Sequence, residues 1–412
     1  MSISINGAEQ VLRPPSEGLP YLRHDRASEL VLEGGSVVVS DGLVAGFTSD
    51  ASASVQIDAS GCAVLPGLVD CHTHLPFAGW REREYEMKVT GVPYEEIARA
   101  GGGIRSSARA LAEASDSAVL SQAGGIAAEM LATGTTTFEC KSGYGLSVDG
   151  ELRALRLAAA LGSAAPQDTT STALLAHAVP DGYDADGWMD VVESMAGDVR
   201  SQTAASALDI YVESVAFTNE HLARMGRLAA RLGVDLRAHV EQFNTNRSVP
   251  VALEHGARSV DHLACIHPDD IAPLAAAECA AVLLPGAEFL GDERVAPARE
   301  LADAGAICVL ASDCNPGTSP ISSLPLVIGL AVRRYGWSAR EALLATTLNA
   351  AWVLRRSDES GSLEVGKRAD VVVVDGPIER IPYRFGRNPV ACVVAGGEVV
   401  WTRPDFSERV RS

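Results

Sequence analysis

The chain has 412 residues, 47% of them hydrophobic, which suffices for a barrel of about 250 residues plus a smaller domain. Its 34 Lys and Arg stand against 53 Asp and Glu, and the resulting charge of −19 argues against nucleic acid or an anionic membrane as partner. A small anionic substrate stays open, because screening confines remote charge to roughly 8 Å and a local arginine can override the net field.

The opening MSISINGAEQ lacks a basic region followed by an apolar core, so no signal peptide is expected. No apolar run reaches the ~18 residues that span a bilayer. Before residue 65, ELVLEGG, SVVVSDG and LVAGFTS are short Val/Leu runs between Gly and Asp turns, the texture of hairpins. The middle of the chain alternates strand and helix. Its strand candidates are AVLPGLVDCHTH, TTTFECKSG, TALLAHAVP, ALDIYVESVAF, VDLRAHVEQF, RSVDHLAC, AAVLLPGAE and AICVLASDC. Helical runs such as DGELRALRLAAAL, NEHLARMGRLAARLG and VPVALEHG separate most of them. Eight such units predict a (β/α)8 barrel, with a doubly wound sheet as the alternative.

After the last strand, Ser338 and Glu341 form a predicted capping box for one helix over SAREALLATTLNAAWVL. Hairpin texture returns in GSLEVGKRADVVVVDG and PVACVVAGGEVVW. The predicted organisation is a small β-sandwich domain from both termini, residues 1–64 and 364–412, around a barrel over 65–363. The eight cysteines are dispersed with no CxxC and read as reduced packing residues, which favours a cytoplasmic enzyme.

Five of the nine histidines end the apolar strand runs: His72, His74, His177, His239 and His262. A fifth run ends in Asp313. Strand C-termini are where a barrel gathers its active site, and imidazoles with a carboxylate there point to a metal and a hydrolytic water. His72 and His74 are two apart, so both face one side of a strand while Cys71 faces the other. His239 and Asp313 would complete a mixed N/O site for zinc or iron, with His262 either a further ligand or catalytic. His24, His221, His255 and His267 read as loop or helix-surface residues, and Tyr94 as a candidate for a pocket lid. Glu139, Lys141 and Glu213 read either as inward structural charges or as catalytic groups.

Longer segments are more specific. KSGYG, AHAVP, LLPG, DCNPGTSP, GSLEVGKRADVVVVD and IPYRFGRN, with the HxH motif, resemble the amidohydrolase superfamily and, within it, the imidazolonepropionases, through nearly the whole chain. The resemblance implies hydrolysis of 4-imidazolone-5-propanoate to N-formimino-L-glutamate. It implies one Zn(2+) or Fe(3+) per subunit on His72, His74, His239 and Asp313, and a homodimer. It also implies substrate contacts at Arg81, Tyr144, His177, Gln242, Asn315, Gly317 and Thr318. Asp313 can then accept the water's proton while His262 bonds the attacked oxygen or relays a proton. Strand alternation puts Glu241 on the side of His239 as another candidate proton shuttle. Lys141 lies on the second predicted strand, which argues against the fourth-strand carboxylated lysine of binuclear relatives.

One segment departs from the pattern. Arg247-Ser248 stands where the family usually has a Gly-Gly pair, which narrows the backbone options and adds an arginine that either enlarges the anion site or faces solvent. This keeps open a paralogue acting on another small cyclic amide or amidine; a separate third reading is a non-catalytic barrel, retained for assembly or partner binding, that would retain no metal.

Overall fold

The computed structural model describes residues 2–92, 96, 101–291 and 294–412; Tyr94 lies outside them. Two sheets organise the chain. The first holds nine strands from both ends: β1 (Ser2–Arg13), β2 (Val31–Ser40), β3 (Leu43–Gly46), β4 (Val55–Asp58) and β5 (Cys62–Pro66) from the N-terminal part. The second is the barrel: β6 (Leu68–Asp70), β7 (Thr135–Lys141), β8 (Asp168–Ala176), β9 (Ala205–Val212), β10 (Asp235–Val240), β11 (Ser259–His262), β12 (Ala280–Leu283) and β13 (Ile307–Leu310). Strands β14 (Val371–Asp375), β15 (Val390–Ala395), β16 (Glu398–Thr402) and β17 (Val410–Arg411) return to the first sheet.

The terminal sheet is hydrogen-bonded continuously through strands from both ends of the chain. Strand β1 changes partner along its length: residues 3–6 pair with β4 and residues 10–11 with β5, with bulges near Ala8. Inward-facing Ile3, Ile5, Val37, Val64, Val371 and Phe406 fill its own apolar core. Strand β5 leads within two residues into β6 and so ties this sheet to the barrel.

The eight barrel strands are parallel and hydrogen-bonded in chain order. The predicted runs become strands that are buried along most of their length, as parallel strands covered by helices require; β12 and β13 are wholly apolar, whereas β7 buries Thr, Glu and Lys side chains. The seam between β13 and β6 closes above both strands, where Asp313 N donates to His72 O (3.0 Å) and His74 N to Cys314 O (2.9 Å). Helices Asp116–Ala132, Val148–Ala164, Ala185–Gln202 and Asn219–Leu232 cover the outside. Ser115, Ser147 and Asp184 cap the first three of these, each accepting a backbone N–H. All eight cysteines are free and buried. Among the described residues no helix is long and apolar enough to cross a membrane.

Two local expectations need correction. The helix predicted after Ser338 has its capping box, but it breaks into Ala339–Ala345 and Leu348–Val353. The cause is tertiary: the Thr346 carbonyl accepts a hydrogen bond from Val69 N on β6. His24 and His221 are buried, not surface residues. His221 accepts from Thr218 N in a capping box.

His24 lies in the segment between β1 and β2, which docks under the barrel through His24 N to Ala306 O (3.1 Å). Its ring packs on Trp337 at 4.2 Å, and neither ring nitrogen has a hydrogen-bond partner. Burial pushes its pKa down to about 3. The unfolded chain therefore binds a proton that the folded chain refuses between pH 6.5 and 3, and stability falls as pH falls through that window. At pH 5 the loss should be about 2 kcal/mol. His24→Phe, melted at pH 7.5 and pH 5, should show a smaller acid-induced drop than wild type; identical drops would show that His24 titrates alike in the folded and unfolded chains.

Candidate metal centre and substrate pocket

His72, Thr73 and His74 continue β6 beyond its last ladder bond. Thr73 points away from the two histidines and donates to Glu139 O (2.5 Å), while its own carbonyl accepts from Lys141 N (3.1 Å). The HxH segment is thus clamped between β7 on one side and the Asp313 loop on the other.

The side chains converge as the strand-end pattern predicts. Ring centroids lie 4.5 Å apart for His72 and His239, 5.3 Å for His72 and His74, and 5.5 Å for His239 and His262. Asp313 Oδ1 is 3.4 Å from His72 Nε2 and 3.2 Å from His74 Nε2. Two sets of donors, His72/His74/Asp313 and His72/His239/His262, each come close enough to hold an ion and share His72. All of these residues are buried. His72 Nε2 and His239 Nε2 are buried polar atoms with no hydrogen-bond partner, and His74 Nε2 turns to the same Asp313 oxygen as His72 Nε2. Buried imidazole nitrogens left unpaired are costly unless something binds them, so this donor set fits a single cation. Behind them, His72 Nδ1 meets Asp261 Oδ2 (2.6 Å) and His239 Nδ1 meets Asp209 Oδ1 (3.0 Å).

The electrostatics suit the same reading. Burial pushes the His74 pKa down to about 4 and that of His262 to about 3, so both rings are neutral near pH 7. Burial works against the Asp313 carboxylate, but the His72 and His74 rings outweigh it and hold its carboxyl well below the usual range. The backbone is shaped to match. Glu241, Arg247, His262, Leu263 and Asp313, at or just beyond the ends of β10, β11 and β13, all have φ between 54° and 82°. Left-handed non-glycine residues of this kind cost about 1–3 kcal/mol each and gather at functional sites.

Arg81 lies against the loop after Asp313, its N–H donating to Pro316 O (2.9 Å). Its guanidinium packs directly over Gly317, and its Nε and Nη1 are buried without hydrogen-bond partners; among the described residues, Glu84 brings a carboxylate to 3.8 Å from Nε. A Cβ on Gly317 would fall inside that guanidinium. Gly317→Ala should therefore leave the melting temperature nearly unchanged, since a flexible side-chain tip can move aside. It should weaken binding of a carboxylate ligand about tenfold, roughly 1.4 kcal/mol. Titration calorimetry showing wild-type affinity would exclude the Arg81 position as the anion seat.

Tyr144 and His177 are buried beside His74, with ring centroids 6.0 and 5.2 Å from it. His177 Nδ1 lies 3.0 Å from Gly143 O, so that nitrogen carries the proton and Nε2 is left as an acceptor. Asn315 organises its own loop: Oδ1 accepts from Gly317 N and Thr318 N (both 2.8 Å) and Nδ2 donates to Asp313 O (2.6 Å). Gln242 is buried and stands beyond the end of β10, which releases it from strand alternation.

Glu241 departs from its expectation. Strand β10 ends at Val240 and Glu241 turns to φ 55°, so alternation no longer applies to it. Its carboxylate accepts from Asn246 N (2.9 Å) and Ser248 N (2.6 Å), which makes it an anchor of the following loop rather than a free base. Arg247 takes φ 56°, ψ 40°, the conformation a glycine adopts without strain, and its Nη2 pairs with buried Asp270 at 2.7 Å. The departing residue therefore engages the neighbouring helix Pro268–Ala276.

Sequence reasoning missed Asp209, Tyr211, Arg237, Asp261 and Glu151. Tyr211 lies 6.1 Å from His239, ring to ring. Glu151, on the helix after β7, accepts from Gly143 N, Gly145 N and Leu146 N at 2.7–2.9 Å and so fixes the loop carrying Tyr144. Glu213 does the same for Phe243 N and Asn244 N. A signal existed for the strand residues, since Asp209, Tyr211 and Glu213 alternate along one run, as do Arg237 with His239.

A model of the amidohydrolase family matches residues 63–400. The imidazolonepropionase of Paracoccus denitrificans is 40% identical over 382 residues, covering 90% of this chain and 95% of that protein. The imidazolonepropionase of Geobacillus sp. is 38% identical over 411 residues, covering 96% and 97%. Among solved structures, an adenosine deaminase from Xanthomonas campestris with bound zinc superposes with a TM-score of 0.69 at 20% identity, over 97% of this chain and 93% of that one. At that identity the likeness is one of fold.

Proposed function

This chain belongs to the amidohydrolase family, and from that premise we propose that its reaction is that of the imidazolonepropionases: water opens the cyclic amide of 4-imidazolone-5-propanoate to N-formimino-L-glutamate. Of the geometric observations, Arg81 carries this reading. A guanidinium with two buried nitrogens that lack hydrogen-bond partners, beside the Asp313 loop in a chain of charge −19, is a seat for a small carboxylate.

A Zn(2+) or Fe(3+) ion held by His72, His74, His239 and Asp313 would lower the pKa of water to about 7 and polarise the amide carbonyl. The protein groups do the rest. Arg81 binds the propanoate carboxylate through paired N–H donors. The Nε2 atom of His177 accepts from a ring N–H, and Tyr144, Gln242 and the Asn315–Gly317–Thr318 loop hold the ring's polar edge. The ionised Asp313 carboxylate takes the proton of the attacking water. His262, neutral and buried, donates to the developing oxyanion from a protonated ring nitrogen. The proton on Asp313 then passes to the leaving ring nitrogen as the C–N bond breaks. With Glu241 committed to its loop, proton handling narrows to Asp313 and His262.

Mixed imidazole and carboxylate donors take either metal, and elemental analysis of the purified protein reports which. We further propose the domain division at 1–64 with 364–412 against 65–363, a cytoplasmic location and a homodimer, the last checked by sedimentation. The test of function is direct. Metal-loaded protein added to freshly generated 4-imidazolone-5-propanoate should accelerate the loss of its ultraviolet absorbance, with N-formimino-L-glutamate identified by mass. No acceleration by folded, metal-loaded protein would exclude this substrate.

A further inference from the structure

Beneath the metal centre lies a closed run of buried charges that joins two of its histidines from behind. From His239 it passes to Asp209, whose Oδ2 pairs with Lys141 Nζ at 2.8 Å. Lys141 Nζ also meets Glu139 Oε2 at 2.9 Å. Glu139 Oε1 pairs with Arg237, whose Nη2 reaches Asp261 Oδ2 at 3.0 Å. Asp261 returns to His72 Nδ1 at 2.6 Å. Ser259 braces the end of the run, donating to Asp261 Oδ1 (2.6 Å) and accepting from Arg237 Nε (2.9 Å). The five charged residues are no more than 1% exposed.

Such a network is expensive to bury for stability alone, since apolar replacements of buried ion pairs are often neutral or stabilising. Its ends say what it does. Both terminal carboxylates face the Nδ1 atoms of His72 and His239, so each ring holds its proton there and turns Nε2, the partnerless atom, toward the metal position. We propose that Lys141 and Arg237, with Glu139 between them, are positioning residues for the metal: they lock the Asp209 and Asp261 carboxylates, and through them the tautomer and orientation of His239 and His72. This rests on the reading that the cluster holds a metal.

Charge and positioning make opposite forecasts for one substitution. If the network acted only through its field, Lys141→Met would remove a cation and tighten metal binding, while Asp261→Asn would weaken it. If it acts by positioning, both should weaken zinc at least tenfold, the lower end of what loss of such outer partners costs. The measurement is the zinc dissociation constant of the full-length apo protein, by competition with a chromophoric chelator, with circular dichroism as the control for folding. Weaker binding in both variants supports positioning. Binding by Lys141→Met as tight as wild type, or tighter, overturns it. Should Lys141→Met not fold, Ser259→Ala decides, because it removes a brace and no charge: several-fold weaker zinc supports the proposal and an unchanged constant overturns it. A wild-type protein that takes up no zinc or iron would instead overturn the metal reading itself.

Discussion

Asp313→Asn should give a folded protein whose turnover falls by at least about 10²–10⁴-fold, the range of a lost general base. Three observations fix this expectation. The side chain is isosteric, so Oδ1 can keep its place 3.2 Å from His74 Nε2. The backbone at φ 54° is one that Asn tolerates as readily as Asp, so the barrel seam through Asp313 N and His72 O should survive. What is lost is the negative charge that the His72 and His74 rings hold in place, and with it both an anionic donor and the proton acceptor. Turnover measured at saturating metal, beside a circular dichroism spectrum matching wild type, checks the expectation. Near-normal turnover would remove Asp313 from the proton route and leave His262 to carry it.

Arg81→Met should raise KM for the carboxylate substrate by about 30-fold or more while changing kcat little. Truncating one partner of a buried charge pair costs about 2–5 kcal/mol, and 1.4 kcal/mol is tenfold. The reacting amide is remote from the carboxylate that Arg81 would hold, so the interaction is made equally in ground and transition states and appears in KM. Methionine keeps much of the apolar stem that packs over Gly317. The control is an analogue lacking the carboxylate, whose kinetics should be the same for both proteins. An equal loss on that analogue would make Arg81 a general support of the loop rather than an anion seat.

The two substitutions act on parts of the site that were unequally legible beforehand. Asp313 and the four strand-end histidines near it stand out because apolar parallel strands ending in ionisable groups have few structural excuses. Arg81 sits in FAGWRERE among residues of both signs, and only the resemblance singled it out. The structure adds the reason: its guanidinium lies over Gly317, remote in sequence, and leaves two nitrogens unpaired.

Sequence alone gave the eight barrel strands and a β domain built from both termini. It also placed His72 and His74 on a common face. These follow from hydrophobic periodicity and from the two-residue repeat of a strand, which are local properties. Tertiary structure decided everything that depends on a distant partner. Val69 N draws the Thr346 carbonyl out of what reads as one helix, and Trp337 covers His24. The turn at Glu241 converts a candidate base into an anchor for Asn246 and Ser248. Arg247 reaches Asp270 instead of the anion seat. The charges of Lys141 and Arg237, undecidable as letters, acquire their roles only when barrel closure sets Asp209 and Asp261 behind two histidines from other strands. Side-chain alternation says which way a residue points; only the closed barrel says what it meets there.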